Sequence, residues 1–422
     1  MEVMGLIALL ISLSALFMYI NYKYFKLPET IGIMILSLVF SLILIVFQAI
    51  GLFNFEWLIS LIKNINFEET LMSGMLSFLL FAGALHVNIN DLTKEKWVIL
   101  VLATIGVLSS TLLVGYITYL IITCFGFFPN ADSYNLLIYC MLFGSLISPT
   151  DPISVLGILK EAKAPKTLET KITGESLFND GVGVVIFIVI AQMLPSGDHS
   201  SHGEVNPIML FMQEAAGGII FGLLVGWIFY RLLKSVDNYS LEILLTLSLV
   251  TGGYYLAAYL HISGPIAMVV SGLLIGNHGK MFAMSETTHK QLFSFWELID
   301  EFLNAVLFLL MGMVIISISF KFSIIGLGVL MIPLILFIRY LCVASTIRIF
   351  KFKRQFTKGA AIIMTWAGLR GGISVAMALS LPESEFRNTF ILVTYIVVLF
   401  SVIGQGLTVK PLVQYFLRND KK

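Results

Sequence analysis

Charge is what this sequence has least of. Of its 422 residues only 12% are Asp, Glu, Lys or Arg, where a soluble domain carries about 25%. Hydrophobic residues make up 58%, and the mean hydropathy is +0.95. A soluble globular protein is thereby excluded, and the chain reads as an all-α polytopic membrane protein. The formal net charge of +1 leaves no basic surface for nucleic acid. Cysteine is scarce too. Cys124, Cys140 and Cys342 all sit in apolar runs with no metal-ligand spacing, which makes them packing residues. No phosphate loop of the type G-x-x-x-x-G-K-S/T occurs, so there is no ATP-driven motor and no implied cofactor. No basic stretch precedes the first apolar run, and a cleaved signal peptide is not expected. The longest loops, about 53–69, 195–206 and 278–297, leave no room for a soluble regulatory domain. Residues 1–422 read as a single membrane transport domain.

What the chain does have is apolar runs of spanning length. They fall at about 3–21, 31–51, 70–89, 98–125, 134–160, 171–194, 207–233, 240–260, 264–277, 298–319, 323–349, 359–381 and 388–415. These make thirteen candidate transmembrane helices. The ninth is short, and it is divided from the eighth by His261, Ser263, Gly264 and Pro265. Basic residues test the count through the positive-inside rule. Twenty Lys and Arg lie in the odd-to-even loops and the tail, against Lys63, Lys321 and Arg387 in the opposite loops. The expected orientation is an external N-terminus and a cytoplasmic C-terminus, in the plasma membrane.

The sixth span breaks the apolar pattern. Thr173–Gly183 carries Glu175, Ser176, Asn179 and Asp180 within about 140° of one helix face. A carboxylate at mid-membrane costs about 2.5–3.5 kcal/mol on the most forgiving scale, so it marks an ion or proton path by default. The fifth span holds Ser148-Pro-Thr-Asp-Pro152. Its two prolines remove two backbone donors and bar a regular helix beside Thr150 and Asp151. The twelfth holds Trp366-Ala-Gly-Leu-Arg-Gly-Gly372, where glycines weaken the helix around Arg370. A buried arginine stays charged and needs an acid; Glu175 and Asp151 are the natural partners. The bland alternative is an ion pair that only locks helices together.

Two interrupted spans seven apart are what inverted six-helix repeats joined by one connecting span would place there. Thr150, Asp151, Ser176, Asn179 and Asp180 offer hydroxyl, carboxylate and amide oxygens, which suit a hard monovalent cation such as Na⁺. Burial disfavours a charged carboxylate and a bound cation favours it. One acid can therefore carry a proton or a cation in turn, which is antiport once the site alternates in access.

Ser148-Pro-Thr-Asp-Pro152, Gly174-Glu-Ser-Leu-Phe-Asn-Asp-Gly181 and Gly368-Leu-Arg-Gly-Gly372 resemble the signatures of monovalent cation/proton antiporters. The resemblance is to the electroneutral branch holding NhaP-type proteins and animal sodium/proton exchangers, and it spans essentially the whole membrane domain. It implies an NhaA-like antiporter fold with two discontinuous crossing helices, and a homodimer working by an elevator-like motion. The implied core helices are about 70–194 and 298–415, and the dimerisation helices about 1–51 and 207–277. Asp180 is then the transport carboxylate, with Asp151, Thr150 and Ser176 as Na⁺ ligands. Asn179 marks electroneutral 1:1 exchange, and Glu175 with Arg370 forms the structural ion pair. Where several relatives carry a glutamate, this chain has Ala82, which removes any acidic contribution from the third span.

The expected function is secondary antiport of cytoplasmic Na⁺ (or Li⁺, K⁺) against external H⁺, serving pH homeostasis. The alternative is an organic-anion or other solute carrier on the same scaffold, which should show an unpaired cation and fewer acids. A channel would need polarity along its whole length, and no nucleophile motif suggests an enzyme. Arg339, inside span eleven, is expected to pair with Asp300 or Glu301 at the inner end of span ten. His199 and His202, beside Asp198 and Glu204, read as solvated loop residues. Gly217, Gly218, Gly222 and Gly226 form a small-residue ridge suited to close helix packing. His86 and Asp91 have no evident role.

Overall fold

The computed structural model describes residues 2–50, 74–151, 153–194, 207–279, 284–317, 322–352 and 356–420. Within them every regular element is helical. Among the described residues nine helices are long and apolar enough to cross a membrane. They include α1 (Glu2–Ile20), α2 (Glu29–Ile50) and the run Ile89–Phe125, here α4. Four spans are short or interrupted. The third is α3 (Leu76–Leu85), and the fifth is α5 (Ser133–Ile147) followed by α6 (Ile153–Glu161). The sixth is the continuous α7 (Lys166–Ala191). Then come α8 (Pro207–Lys234), α9 (Tyr239–Tyr259) and the short α10 (Gly264–Leu274). The series ends with α11 (Glu286–Met313), α12 (Phe322–Phe350), the broken pair α13 (Ala360–Trp366) and α14 (Gly372–Leu379), and the final run α15 (Arg387–Leu399) and α16 (Gly406–Asp420). All thirteen expected spans have a counterpart. His199 and His202 lie outside the described residues, as does the 53–69 loop.

Local chemistry sets the boundaries. His261 takes a left-handed backbone (φ 53°) between α9 and α10, and the Ser263 hydroxyl then accepts from the Ile266 amide at 3.3 Å. With Pro265 in the first turn, the chain stops one helix and starts the next. Asp132 caps α5 and Asn238 caps α9 in the same way. Between α15 and α16 the helix does not stop but widens into a π-type turn at Phe400–Gln405. Beyond that turn Lys410 reaches Glu161 at the end of α6, at 2.8 Å.

Two packing groups emerge. In one, α4 lies against α5 and α7, and α12 against α13 and α15. In the other, α8 and α3 both pack on α10, and α2 lies along α11. The glycine ridge of α8 makes the α8–α10 contact possible. A Cβ on Gly222 would stand 2.6 Å from the Ala267 carbonyl oxygen, and one on Gly226 3.1 Å from Ser271 Cα. Small residues let helices approach closely where lipid offers no hydrophobic drive.

Gly222→Val should therefore force α8 off α10 and cost about 1–3 kcal/mol. A lowered melting temperature of the detergent-solubilised protein is the expected reading, with Gly252→Val as a control, since a Cβ there meets nothing within 4 Å.

Candidate cation site

The two broken spans meet at their breaks. The Asp151 amide donates to the Leu369 carbonyl at 2.7 Å, joining one interruption to the other. Proline at position 152 has no N–H to offer the Ser148 carbonyl, the bond an unbroken helix would make. The Arg370 guanidinium takes its place, donating through Nη1 to the carbonyls of Ser148 and of Pro149, the latter at 2.7 Å. The Arg370 amide is itself held by Ser401 Oγ at 2.8 Å. A Cβ on Gly371 would stand 2.6 Å from that of Asp151, so only glycine lets the segments cross this closely.

Against this crossing lies the polar face of α7. Asn179 grips Thr150 twice. Its Nδ2 donates to Thr150 Oγ1 at 2.9 Å, and its Oδ1 accepts from the Thr150 amide at 3.3 Å. Thr150 Oγ1 also shares a 2.9 Å hydrogen bond with Ser176 Oγ. All three residues are buried. Asp180 is buried as well, and it stands close enough to Asp151 for the two acids to repel. Asp151 and Asp180 line one cavity of about 50 Å³, closed by Leu76, Leu79, Leu307 and Ile373. Thr150, Ser176 and Asn179 do not line it; they brace its wall. Ala82 is fully buried and likewise outside the lining.

The sequence motifs thus lead to five residues that share one neighbourhood, but the ion pair is different from the one expected. Glu175 forms its salt bridge with Arg339 of α12. Arg370 lies in the electrostatic field of both, yet its hydrogen bonds go to the exposed carbonyls at the end of α5. Those carbonyls outcompete a carboxylate that already has a partner. Arg339 accordingly does not pair with Asp300 or Glu301. The sequence carried a hint of this, an arginine buried within a long apolar span, but a single span does not say which neighbour it faces.

Asp300 belongs instead to a larger cavity. A funnel of about 620 Å³ opens on the face that bears Lys26, Glu161 and Lys410, and it is lined also by Glu29, Glu301 and Asn304. Asp300 lies within the electrostatic reach of Asp151.

Removing one partner of a buried ion pair costs about 3–5 kcal/mol. Glu175→Gln and Arg339→Ala should each lower the melting temperature strongly, and a double-mutant cycle on melting free energies should show their effects overlapping. The same cycle between Glu175 and Arg370 should give the smaller coupling, because Arg370 spends its donors on Ser148 and Pro149.

Comparison with known proteins bears on what this arrangement is. Residues 12–415 match the family described as sodium/hydrogen exchanger, transmembrane. The chain is 46% identical to the Na(+)/H(+) antiporter NhaP of Pseudomonas aeruginosa, over 97% of this chain and 96% of that protein. It is 34% identical to the Na(+)/H(+) antiporter NhaH of Halobacillus dabanensis, over 82% of this chain and 83% of the relative. Among solved structures, the sodium proton antiporter MjNhaP1 of Methanocaldococcus jannaschii superposes with a TM-score of 0.77 across 99% of this chain and all of the other, at 21% identity. That likeness shows the fold. A membrane bundle built on two crossing interrupted helices, matched by the family model over nearly its whole length and closely related to a sequenced member, leaves one conclusion: the chain belongs to the transmembrane sodium/hydrogen exchanger family.

Proposed function

We infer that this protein is a secondary antiporter that exchanges Na⁺, or Li⁺ or K⁺, for H⁺. The observation that carries the reading is the meeting of Asp151 and Asp180 in one small, largely apolar cavity where two broken helices cross. The names of its relatives support it. Two repelling acids in such a place are poorly served by remaining empty. A proton on Asp180 relieves the repulsion, and so does a dehydrated monovalent cation held by both carboxylates.

Coupling follows from the cost of charge in the membrane. An empty site with ionised Asp180 carries an uncompensated carboxylate, which is unfavourable to move through the low-dielectric interior. A site holding either H⁺ or the cation is partly neutralised and free to reorient. Exchange therefore needs a passenger in each direction. Thr150 and Ser176, hydrogen-bonded to each other, brace the wall beside the acids. Asn179, spent on holding Thr150, adds no charge, which favours one cation per proton.

The charge bias of the loops supports a plasma-membrane orientation with both the funnel and the C-terminus facing the cytoplasm. The open funnel supports an inward-facing state. The packing groups support a mobile unit of α4–α7 and α12–α16, moving against a scaffold of α1–α3 and α8–α11; the homodimer implied by the family resemblance would form through that scaffold. Relative to the expected core of about 70–194 and 298–415, the third and tenth spans fall to the scaffold. The organic-anion alternative is disfavoured by the site itself, where the arginines are engaged by Glu175 and by backbone carbonyls.

In proteoliposomes with an imposed Na⁺ gradient and a lumenal pH dye, Asp180→Asn should reduce exchange to background, and Asp180→Glu should shift its pH profile. Normal exchange by the Asn variant would remove the basis of this reading. A valinomycin-clamped potential should leave the rate unchanged for 1:1 exchange.

A further inference from the structure

Asp300 and Asn304 stand on one face of α11, bordering the funnel, and the exchange site does not account for either. Asn304 is only 3% exposed. Its Nδ2 donates to the Asp300 carbonyl at 2.8 Å, and the residue borders the funnel. Its buried Oδ1 has no hydrogen-bond partner among the described residues, and neither has Asp300 Oδ1. Both are acceptors without donors. Two buried oxygens without donors, on residues one helical turn apart that border the same funnel, are suited to a cation. Oxygen donors of this kind favour hard ions.

The position adds a second argument. Asp300 lies within the field of Asp151, and among the described cations nearby Lys410 is engaged by Glu161 and Arg339 by Glu175. A mobile cation is the species that relieves the repulsion.

We propose that Asp300 and Asn304 form a second site for a monovalent cation, which an ion occupies on its way between the funnel and the Asp151–Asp180 cavity. The site rests on the exchange reading and extends it. It receives an ion still partly hydrated from the funnel, replaces part of its water with two protein oxygens, and hands it on across the Asp151–Asp300 gap. A staging site of this sort sets the apparent affinity for the cation without setting the chemistry of the exchange.

Equilibrium binding of ²²Na⁺ to purified protein separates the two sites. Asp180→Asn, which removes the exchange site, should retain saturable Na⁺ binding that is weaker than in the unaltered protein. Adding Asn304→Leu or Asp300→Asn to that background should abolish it. In the otherwise unaltered chain, Asp300→Asn should raise the KM for Na⁺ on the funnel side about tenfold, equivalent to ~1.4 kcal/mol, with the maximal rate kept within about twofold. Asn304→Asp should lower that KM, a gain that damage to folding does not mimic. No residual binding in a folded Asp180→Asn protein, or residual binding indifferent to both α11 variants, would overturn the proposal. Ordinary exchange by Asp180→Asn would instead defeat the exchange reading and leave the α11 binding result standing on its own.

Discussion

Two helices interrupted in the middle of a membrane are each untenable alone. In hydrocarbon there is no water to satisfy a freed N–H or C=O, and every such group left bare is strongly unfavourable. Here each interruption supplies what the other lacks. The Asp151 amide finds the Leu369 carbonyl, and the carbonyls left over at the end of α5 find the Arg370 guanidinium. Everything else about the site depends on this exchange of partners. Because the backbone is satisfied from within, the crossing can stay dry, and its acids can face a cavity lined mostly by leucine and glycine.

The polar face of α7 then divides its labour by position. Glu175 is spent on Arg339 and ties α7 to α12. Asn179 and Ser176 are spent on Thr150 and tie α7 to the break in the fifth span. Only Asp180 faces the cavity beside Asp151. Two turns of one helix thus hold both the fastening and the working group. The fastening matters to the working group, since the carboxylate's depth and direction are inherited from a helix pinned at three neighbouring points.

Much of this was legible from the chain. Pro149, Pro152 and the glycines around Arg370 act on their own backbone, so the interruptions show without any knowledge of neighbours. The spacing of Glu175, Ser176, Asn179 and Asp180 places them on one face for the same reason. Partner choice is another matter. Whether Arg339 or Arg370 meets Glu175 depends on how separate helices rotate about their axes, and no single span encodes that. Asn304 was invisible for a related reason: an asparagine in an apolar run has no motif, and its meaning comes from the cavity it borders. Arg370 departs from the expected pairing because bare carbonyls compete with carboxylates for a guanidinium.

The widened turn at Phe400–Gln405 carries a further consequence. It lies beside the break between α13 and α14, where Ser401 holds the Arg370 amide and Gln405 donates to the Trp366 carbonyl at 3.0 Å. The helix beyond it delivers Lys410 to Glu161. Each residue of an α-helix advances the chain by 100°. Removing one residue here would tighten the coil and swing everything downstream by more than a quarter turn, aiming Lys410 away from α6. The last membrane crossing is thereby a vernier: one surplus residue lets a single rod serve two gauges, gripping a fractured helix at mid-depth and still arriving in register at the surface.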